Sequence, residues 1–328
     1  MVDLPKISVI LCTHNRAHTL TTALESIAAQ SISESVGWDV VVVDNNSSDE
    51  TRQVVEDFKR RYPDRFRYFF EKQQGISHAR NRGIQEAHGE ILAFIDDDET
   101  AAPNWLQNLT ANLHNGEWSG AGGRILPQWN CDRPRWLSDK SRLTLAPLAV
   151  FDLGTKEGPL TESPFGANMA FRKEVFNACG GFRTDLGRVG KGMLSGEDSE
   201  LGRRVFAAGR RLRYEPSALT YHPVEEYRVS RKYFLQWWFN KGRTDVREFG
   251  NRSKDLHLLG IPLRLARALV MESLRWMFAF ESTERFICKL KVWACAGQVS
   301  EYFHQSLEGE SDKTERSAKL APPANDGR

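Results

Sequence analysis

Apolar runs alternate with helix-periodic segments over the first 125 residues. The strand-like runs are residues 6–12, 38–44, 66–71 and 90–95, and the helical segments are residues 18–30, 48–62 and 75–88. Strands that alternate with helices predict βαβ units, and hence a mainly parallel sheet flanked by helices. Ligands of such sheets bind beyond the carboxyl ends of the strands, so the polar residues at those ends are the first candidates for function.

The rest of the chain is organised differently. Residues 126–163 contain several prolines and predict a long loop with little regular structure, which is typical of a lid or of disorder. From residue 229 the pattern is helical and rich in Trp, Phe and Arg. We therefore expect a domain over residues 1–227 with halves 1–125 and 126–227, a helical C-terminal appendage over 228–304, and a disordered polar tail over 305–328.

Charge separates these parts further. Residues 1–227 carry 27 basic and 31 acidic side chains, whereas residues 228–304 carry 14 and 7. A basic C-terminal part indicates contact with an anionic surface, either lipid headgroups or nucleic acid. The five cysteines form no CxxC pair, which argues against a disulfide framework and favours a reducing compartment. With no signal-peptide pattern and no run of roughly twenty apolar residues, we expect a cytoplasmic location.

Polar side chains follow the strands of the predicted sheet. They are Thr13, His14, Asn15 and Arg16 after the first strand, Asp44 to Ser48 after the second, Arg80 and Asn81 before the fourth, and Asp96, Asp97, Asp98 and Glu99 after it. Adjacent carboxylates repel one another unless a cation or hydrogen-bond donors compensate them. Mg²⁺ or Mn²⁺ would turn Asp96 and Asp98 into a ligand pair for a nucleoside diphosphate, with Asp44 accepting from the base or ribose and Arg80 neutralising phosphate.

Simpler interpretations of these residues stay open. Asp44 could cap a helix, Arg80 could form a surface salt bridge, and the acids could be a solvated turn. Other ligand motifs are excluded: no GxGxxG follows a strand, residues 187–192 lack the Ser or Thr of a phosphate loop, and His14 and His18 lack the glutamate of HExxH.

Seven segments in order resemble the family 2 glycosyltransferases with the GT-A fold, from about residue 5 to residue 245. They are ISVILCTHNR, VVVDNNSSDET, GISHARNRGI, GEILAFIDDDE, FGANMAFRKEVF…GGF, GEDSELGRRVFAAGRRLRYEP and YHPVEEYRVS. The resemblance implies a nucleotide-sugar half at 1–125 and an acceptor half at 126–227. It implies a DxD element at Asp96–Asp98 for Mn²⁺ or Mg²⁺ and the sugar nucleotide. Thr13, Asn15, Arg16, Asp44 and Arg80 are the further nucleotide-binding candidates.

The resemblance also assigns the chemistry. Asp198, the second residue of the ED pair, corresponds to the catalytic base that deprotonates the acceptor in an inverting transfer. His222 corresponds to a third metal ligand beside Asp96 and Asp98. Asp198 could instead be an acid favoured at a helix N-terminus, and His222 a structural histidine. The segment LQWWFNKG does not reproduce the QxxRW element of processive members, so we expect one sugar to be added per encounter.

The expected donor is a nucleotide-diphospho-sugar, with a UDP-sugar favoured, and the expected acceptor is a saccharide or a lipid-linked glycan of bacterial surface biosynthesis. Residues 259–280 are amphipathic and contain three arginines, so they either pack on the catalytic domain or lie peripherally on the inner face of the cell membrane. No nucleic-acid partner is expected. The rival classes are a metal-dependent nucleotidyltransferase, which usually has a glycine-rich basic loop missing from CTHNRAHT, and a sugar-nucleotide-binding relic without turnover.

Overall fold

The protein was analysed as a computed structural model that describes residues 7–34, 36–138, 141–190, 192–250, 256–258 and 261–320. The chain forms two compact units, residues 1–234 and 235–328. The division falls inside a helix, a few residues beyond the boundary expected after residue 227.

A nine-stranded sheet forms the centre of the first unit. Its strands are β1 Ile7–Thr13, β2 Trp38–Asp44, β3 Phe66–Phe70, β4 Ile91–Asp96, β5 Thr100–Ala101, β6 Gly120–Trp129, β7 Gly158–Pro159, β8 Asn168–Arg172 and β9 Leu212–Val224. The order is β3-β2-β1-β4-β8-β6-β9-β5, and β7 pairs with β9. β1 to β4 are parallel, as expected, but β8 is antiparallel to both β4 and β6, so the whole sheet is mixed.

Helices cover both faces of this sheet. The covering helices are α1 Ala17–Ala28, α2 Thr51–Arg61, α3 Ile76–Glu86, α4 Trp105–Thr110, α6 Lys173–Cys179 and α7 Glu197–Ala207. Two further helices are α5 Arg142–Leu145 and α8 Arg231–Phe249, and α8 begins in this unit. α1, α2 and α4 pack on one face, and α3, α6 and α7 on the other. Val9 of β1 belongs to the first core and Ile10 to the second. Burial on both faces explains why the first strands are continuous apolar runs.

The directions of the strands place several strand ends at the same edge of the sheet. β8 runs against β4, so that Asn168 at the start of β8 pairs with Ile95 near the end of β4. β6 and β9 are parallel to each other, and their carboxyl ends reach the same edge. Of the loop expected at 126–163, the first residues extend β6, and α5 and β7 lie within it. The carboxyl ends of β1, β2, β4, β6 and β9 therefore meet the amino end of β8.

The second unit is built from the remainder of α8 with β10 His257–Leu258, β11 Ile261–Pro262, α9 Leu263–Phe278 and α10 Ser282–Leu320. α8 and α10 approach closely at two glycines: a Cβ on Gly242 would overlap the carbonyl of Ala294, and one on Gly297 would overlap that of Phe239. Residues 305–320 of the expected disordered tail continue α10, and residues 321–328 lie outside the described part. None of the described helices is long and apolar enough to cross a membrane.

Candidate active site

The acid cluster Asp96–Glu99 follows β4 and is held against β9. The next residue, Thr100 of β5, pairs with Tyr221 of β9, which brings the cluster beside His222. The Nε2 atom of His222 lies 3.9 Å from Oδ1 of Asp98. Two of the three residues predicted as metal ligands are therefore neighbours in space.

Two arginines compensate the charge of this cluster. Arg16, from the loop after β1, donates to Oδ1 of Asp97 at 3.2 Å and to Oδ2 of Asp98. Arg228, in a 3-10 turn after β9, places Nη2 3.5 Å from Oδ2 of Asp98 and Nη1 3.2 Å from Nε2 of His222. Arg228 is buried and was not among the sequence candidates, although it belongs to the motif that contains His222. The cluster is thus a network of internal ion pairs rather than a solvated turn.

The protonation states follow from burial and these charges. Burial works to raise the pKa of Asp98, but His222, which is charged in the acidic range where Asp98 titrates, together with Arg16 and Arg228, outweighs burial and holds that pKa below its usual range. Burial lowers the pKa of His222 to about 4 against the opposing charge of Asp98, so the imidazole is neutral at pH 7. Because Nε2 accepts from Arg228, the ring proton belongs on Nδ1.

Two further acids of the cluster, Asp97 and Glu99, have raised pKa values. Burial raises the pKa of Asp97 to about 7, although the charge of Arg16 opposes that rise. Burial likewise raises the pKa of Glu99 well above its ordinary value. Neither carboxylate oxygen of Glu99, nor the Nδ1 atom of His222, has a hydrogen-bond partner among the described residues. Buried polar atoms without a hydrogen-bond partner among the described residues therefore lie close to Asp98.

A divalent cation is compatible with the donor set but not with the present positions of the arginines. Across the described ranges, no three His, Cys, Asp or Glu side chains are grouped so that they could hold a metal ion. An ionised Asp98, a neutral His222 and the half-exposed Asp96 are nevertheless the ligand types that Mn²⁺ accepts. Since Arg228 occupies Nε2 of His222, coordination there would require this guanidinium to move.

The loops after β1 and β2 are joined by side-chain hydrogen bonds. Asn15, with a left-handed φ of 52°, donates its backbone N–H to the Ser47 hydroxyl at 2.9 Å and accepts from the Ser48 N–H at 2.7 Å. Asp44 accepts from the Tyr68 hydroxyl at 2.8 Å and the Ser47 N–H at 2.9 Å. Thr13 is buried beside these loops, and its hydroxyl has no hydrogen-bond partner in the described part of the chain. Asp44 therefore shapes its own turn and does not cap α2, which begins at Thr51, and it lies at the strand end where a nucleotide would bind.

Arg80 of α3 is the central side chain of the site. It is 4% exposed, donates to Oε1 of Glu197 at 2.7 Å and to Oδ1 of Asp96 at 3.1 Å, and so joins the acids after β4 to the start of α7. Burial and the charge of Asp198 raise the pKa of Glu197 to about 7, against the opposing charge of Arg80. The surface salt bridge that the sequence left open is excluded by this burial.

Asp198 lies beside this bridge at the start of α7. Its Oδ2 accepts from the backbone N–H of Gly166 at 2.8 Å, and its Oδ1 accepts from the N–H of Ser199 at 2.7 Å. The second bond is the one expected of an acid in the first turn of a helix, whereas the first comes from another segment, just before β8. The carboxylate is half-buried. Asn168, at the start of β8, is buried and structural, since it accepts from Nε1 of Trp105 at 2.8 Å and donates to the Ala218 carbonyl at 2.8 Å.

Gly166 also provides the space in which Arg80 lies. A Cβ at this position would overlap the nitrogens of the Arg80 guanidinium. We expect Gly166→Ala to lower the free energy of unfolding by about 1–3 kcal/mol, the usual cost of an extra carbon in a close-packed region. Urea unfolding measures this change. Gly158→Ala is the control, because nothing lies within 4 Å of the added carbon. Equal stability of both variants would show that Arg80 does not depend on this space.

The site and the fold together define a class. A βαβ half with an acid cluster at a strand end, joined to a mixed half that presents a second acid pair, is the arrangement of nucleotide-sugar transferases with the GT-A fold. The family model for glycosyl transferase family 2 matches residues 8–180, and the chain belongs to that family.

Individual relatives agree with this assignment. The chain is 26% identical over 245 residues to the glucosyl-dolichyl phosphate glucuronosyltransferase of Haloferax volcanii, covering 71% of this chain and 74% of the relative. It is 27% identical over 252 residues to the succinoglycan biosynthesis protein ExoM of Rhizobium meliloti, covering 76% and 77%. Among solved structures, the mannosyltransferase PcManGT of Pyrobaculum calidifontis, in complex with GDP-Man and Mn²⁺, has a TM-score of 0.63 at 20% identity, covering 92% of this chain and 88% of that one. The protein is therefore a glycosyltransferase with relatives in polysaccharide and glycan biosynthesis.

Proposed function

We propose that this enzyme is a metal-dependent, inverting glycosyltransferase that moves one sugar from a nucleotide-diphospho-sugar to a saccharide or lipid-linked acceptor. A UDP-sugar is the favoured donor. The observation that carries the proposal is the position of Arg80, which joins Asp96 of the acid cluster to Glu197 beside Asp198. Donor-binding and proton-accepting groups then meet at a single edge of the sheet. The names of the relatives, one a glucosyl-dolichyl phosphate glucuronosyltransferase and one a succinoglycan biosynthesis protein, support the acceptor class.

The donor is assigned to the loops after β1, β2 and β4. Asp44 and Thr13 lie buried at neighbouring strand ends, where a nucleobase and ribose would find an acceptor and a hydroxyl. Arg16 carries a fixed positive charge next to Asp97 and Asp98, and it would attract the phosphates of the donor. The cation, held by Asp96, Asp98 and His222, would take up the charge that develops on the leaving diphosphate.

The acceptor is assigned to the side of Arg80 where Glu197 and Asp198 lie, opposite the acid cluster. Asp198 has both carboxylate oxygens fixed by backbone donors, so it is held in one orientation. A carboxylate fixed in this way can take the proton of an acceptor hydroxyl as that oxygen attacks the sugar. Attack from this side, with the diphosphate leaving on the other, gives inversion at the anomeric carbon.

The proposal is tested by calorimetry of nucleoside diphosphates with Mn²⁺ and with a chelator. We expect UDP, or another of the nucleoside diphosphates tested, to bind only when Mn²⁺ or Mg²⁺ is present. Asp98→Ala should remove the metal-dependent part, because this residue is the ionised carboxylate nearest His222.

The control for Asp98→Ala is Asp57→Ala, which removes a surface carboxylate paired with Arg60 on α2. This variant should bind donor and metal like the native protein. Equal nucleotide affinity in chelator and in Mn²⁺ would overturn the metal assignment. Formation of the retained anomer, measured by NMR of the product, would overturn the inverting mechanism.

A further inference from the structure

Helix α9 has two apolar sides. One packs within its own unit: Leu265 is buried with Val246 and Tyr302, and the Trp276 ring contacts that of Trp293 at 6.4 Å. The opposite side carries an outer face formed by Leu263, Val270, Met271, Leu274, Met277 and Phe278. Their spacing of three, four and seven residues places them along one stripe of the helix. Packing within the unit accounts for the first apolar side of α9 but not for the second.

The outer face is exposed to a degree that packing does not explain. Val270 is 59% exposed, Met277 61% and Phe278 66%, and Phe280 just beyond the helix is 98% exposed. Fifteen large apolar side chains are exposed in the described part of the chain, and eight of them lie between residues 256 and 280. Exposed apolar side chains are common singly, but a concentration of this kind marks an interaction surface.

The charges on this helix indicate what the surface meets. Arg267 lies within the outer face by helical position, four residues after Leu263 and seven before Leu274, and it is exposed. Glu272 is the single acid of α9; it lies on the packed side and pairs with Arg275 at 2.6 Å. The outer face is therefore apolar and basic, without an acid of its own.

We propose that the outer face of α9 lies in the interface of a membrane that contains anionic lipids. Apolar side chains would enter the boundary between headgroups and acyl chains, while Arg267 would reach a lipid phosphate. A second copy of the chain is a poorer partner, because a two-fold symmetric contact would bring the basic faces of both copies together. The inference does not rest on the proposed donor, metal or base.

The test uses the full-length protein and sedimentation with vesicles of phosphatidylcholine, with or without phosphatidylglycerol. We expect binding to the anionic vesicles and its weakening at high ionic strength, because salt screens surface charge. Met277→Ser combined with Phe278→Ser should lower vesicle affinity by about tenfold or more, given the apolar area that is no longer buried. Phe303→Ser on α10 removes an equally exposed phenyl group outside the outer face and should bind like the native protein.

The charge is tested separately. Arg267→Gln should weaken binding to anionic vesicles by about fivefold and leave binding to neutral ones unchanged. Arg60→Gln, an exposed arginine on α2, is the matched control. Because these positions are exposed, the variants should unfold at the native temperature, which circular dichroism verifies.

Three results would overturn this inference: native-like vesicle binding by the Met277/Phe278 variant, equal binding to neutral and anionic vesicles at all salt concentrations, or a lipid-free dimer that this variant converts to monomer. The last would assign the face to a second copy. A protein that binds vesicles but transfers no sugar would contradict the proposed function and leave the membrane contact in place.

Discussion

Asp198→Asn is expected to lower the rate of sugar transfer by about 10²–10⁴-fold, the usual effect of losing a positioned proton acceptor. The asparagine oxygen can still accept from the N–H of Gly166 or of Ser199, so the local geometry should persist. Donor and Mn²⁺ should bind almost normally, because their contacts belong to other loops. The loss should fall on kcat, since the proton moves only in the transition state. Initial rates with saturating donor, together with calorimetry of donor binding, measure both quantities.

The control for this variant is Glu200→Gln on the same helix. Glu200 also lies near the start of α7, but it pairs with Arg204 at 2.7 Å, and its position two residues after Asp198 places it on a different side of the helix. We expect this variant to unfold at a lower temperature and to retain transfer. Glu197 is unsuitable as a control, although it adjoins Asp198, because it holds Arg80 at 2.7 Å. Near-normal transfer by Asp198→Asn would remove the proposed base, and Glu197 would be the next candidate.

Arg80→Met is expected to lower the free energy of unfolding by about 3 kcal/mol, because it leaves buried acids without their partner. Glu197 limits the loss, since its raised pKa of about 7 allows it to take up a proton in the variant. Asp96 is 38% exposed and regains water, which limits the loss further. Transfer should fall below detection, because both acid groups lose the side chain that fixes their relative positions. Guanidinium unfolding and donor calorimetry measure the two effects.

Arg82→Met is the matched control for Arg80→Met. Arg82 lies on the same helix and pairs with Glu86 at 2.8 Å at the i,i+4 spacing, which contributes only about 0.3–0.5 kcal/mol. Arg80→Lys should give an intermediate result, because a single ammonium cannot donate to Glu197 and Asp96 in the same geometry as a guanidinium. If Arg80→Met were as stable and as active as Arg82→Met, the central role assigned to this side chain would be wrong.

The first half of the fold could be predicted because its signals are local. β1, β2 and β4 are buried on both faces, so Val9, Val42 and Phe94 lie in continuous apolar runs that can be identified without knowledge of the partners. The direction of β8 could not be predicted in the same way. Whether a strand pairs parallel or antiparallel depends on the path of the chain between strands, and the segment before β8 has no clear periodicity.

The sequence identifies the acidic residues of the candidate site, but it misses Arg228 and does not show which arginines pair with which acids. Asp96, Asp98 and Asp198 follow or begin regular elements and carry motifs, so the sequence identifies them as candidates. The side chains that compensate Asp98 are distant: Arg16 is separated from it by 82 residues, and Arg228 follows His222 in a turn that has no periodic signal. Arg80 and Glu197 are separated by 117 residues. Such pairs result from the tertiary fold, so no local pattern reveals them.

The two bonds to the Asp198 carboxylate have a consequence for how this enzyme could diversify. Both donors, the N–H groups of Gly166 and Ser199, lie outside residues 130–162, the segment that follows β6 and contains α5 and β7. Insertions or exchanges within that segment would therefore leave the proposed proton acceptor in place. A chimaera that takes this segment from a relative with a different acceptor should keep its intrinsic reactivity while its preference among acceptors changes. Acceptor selectivity and intrinsic reactivity would then be separately mutable.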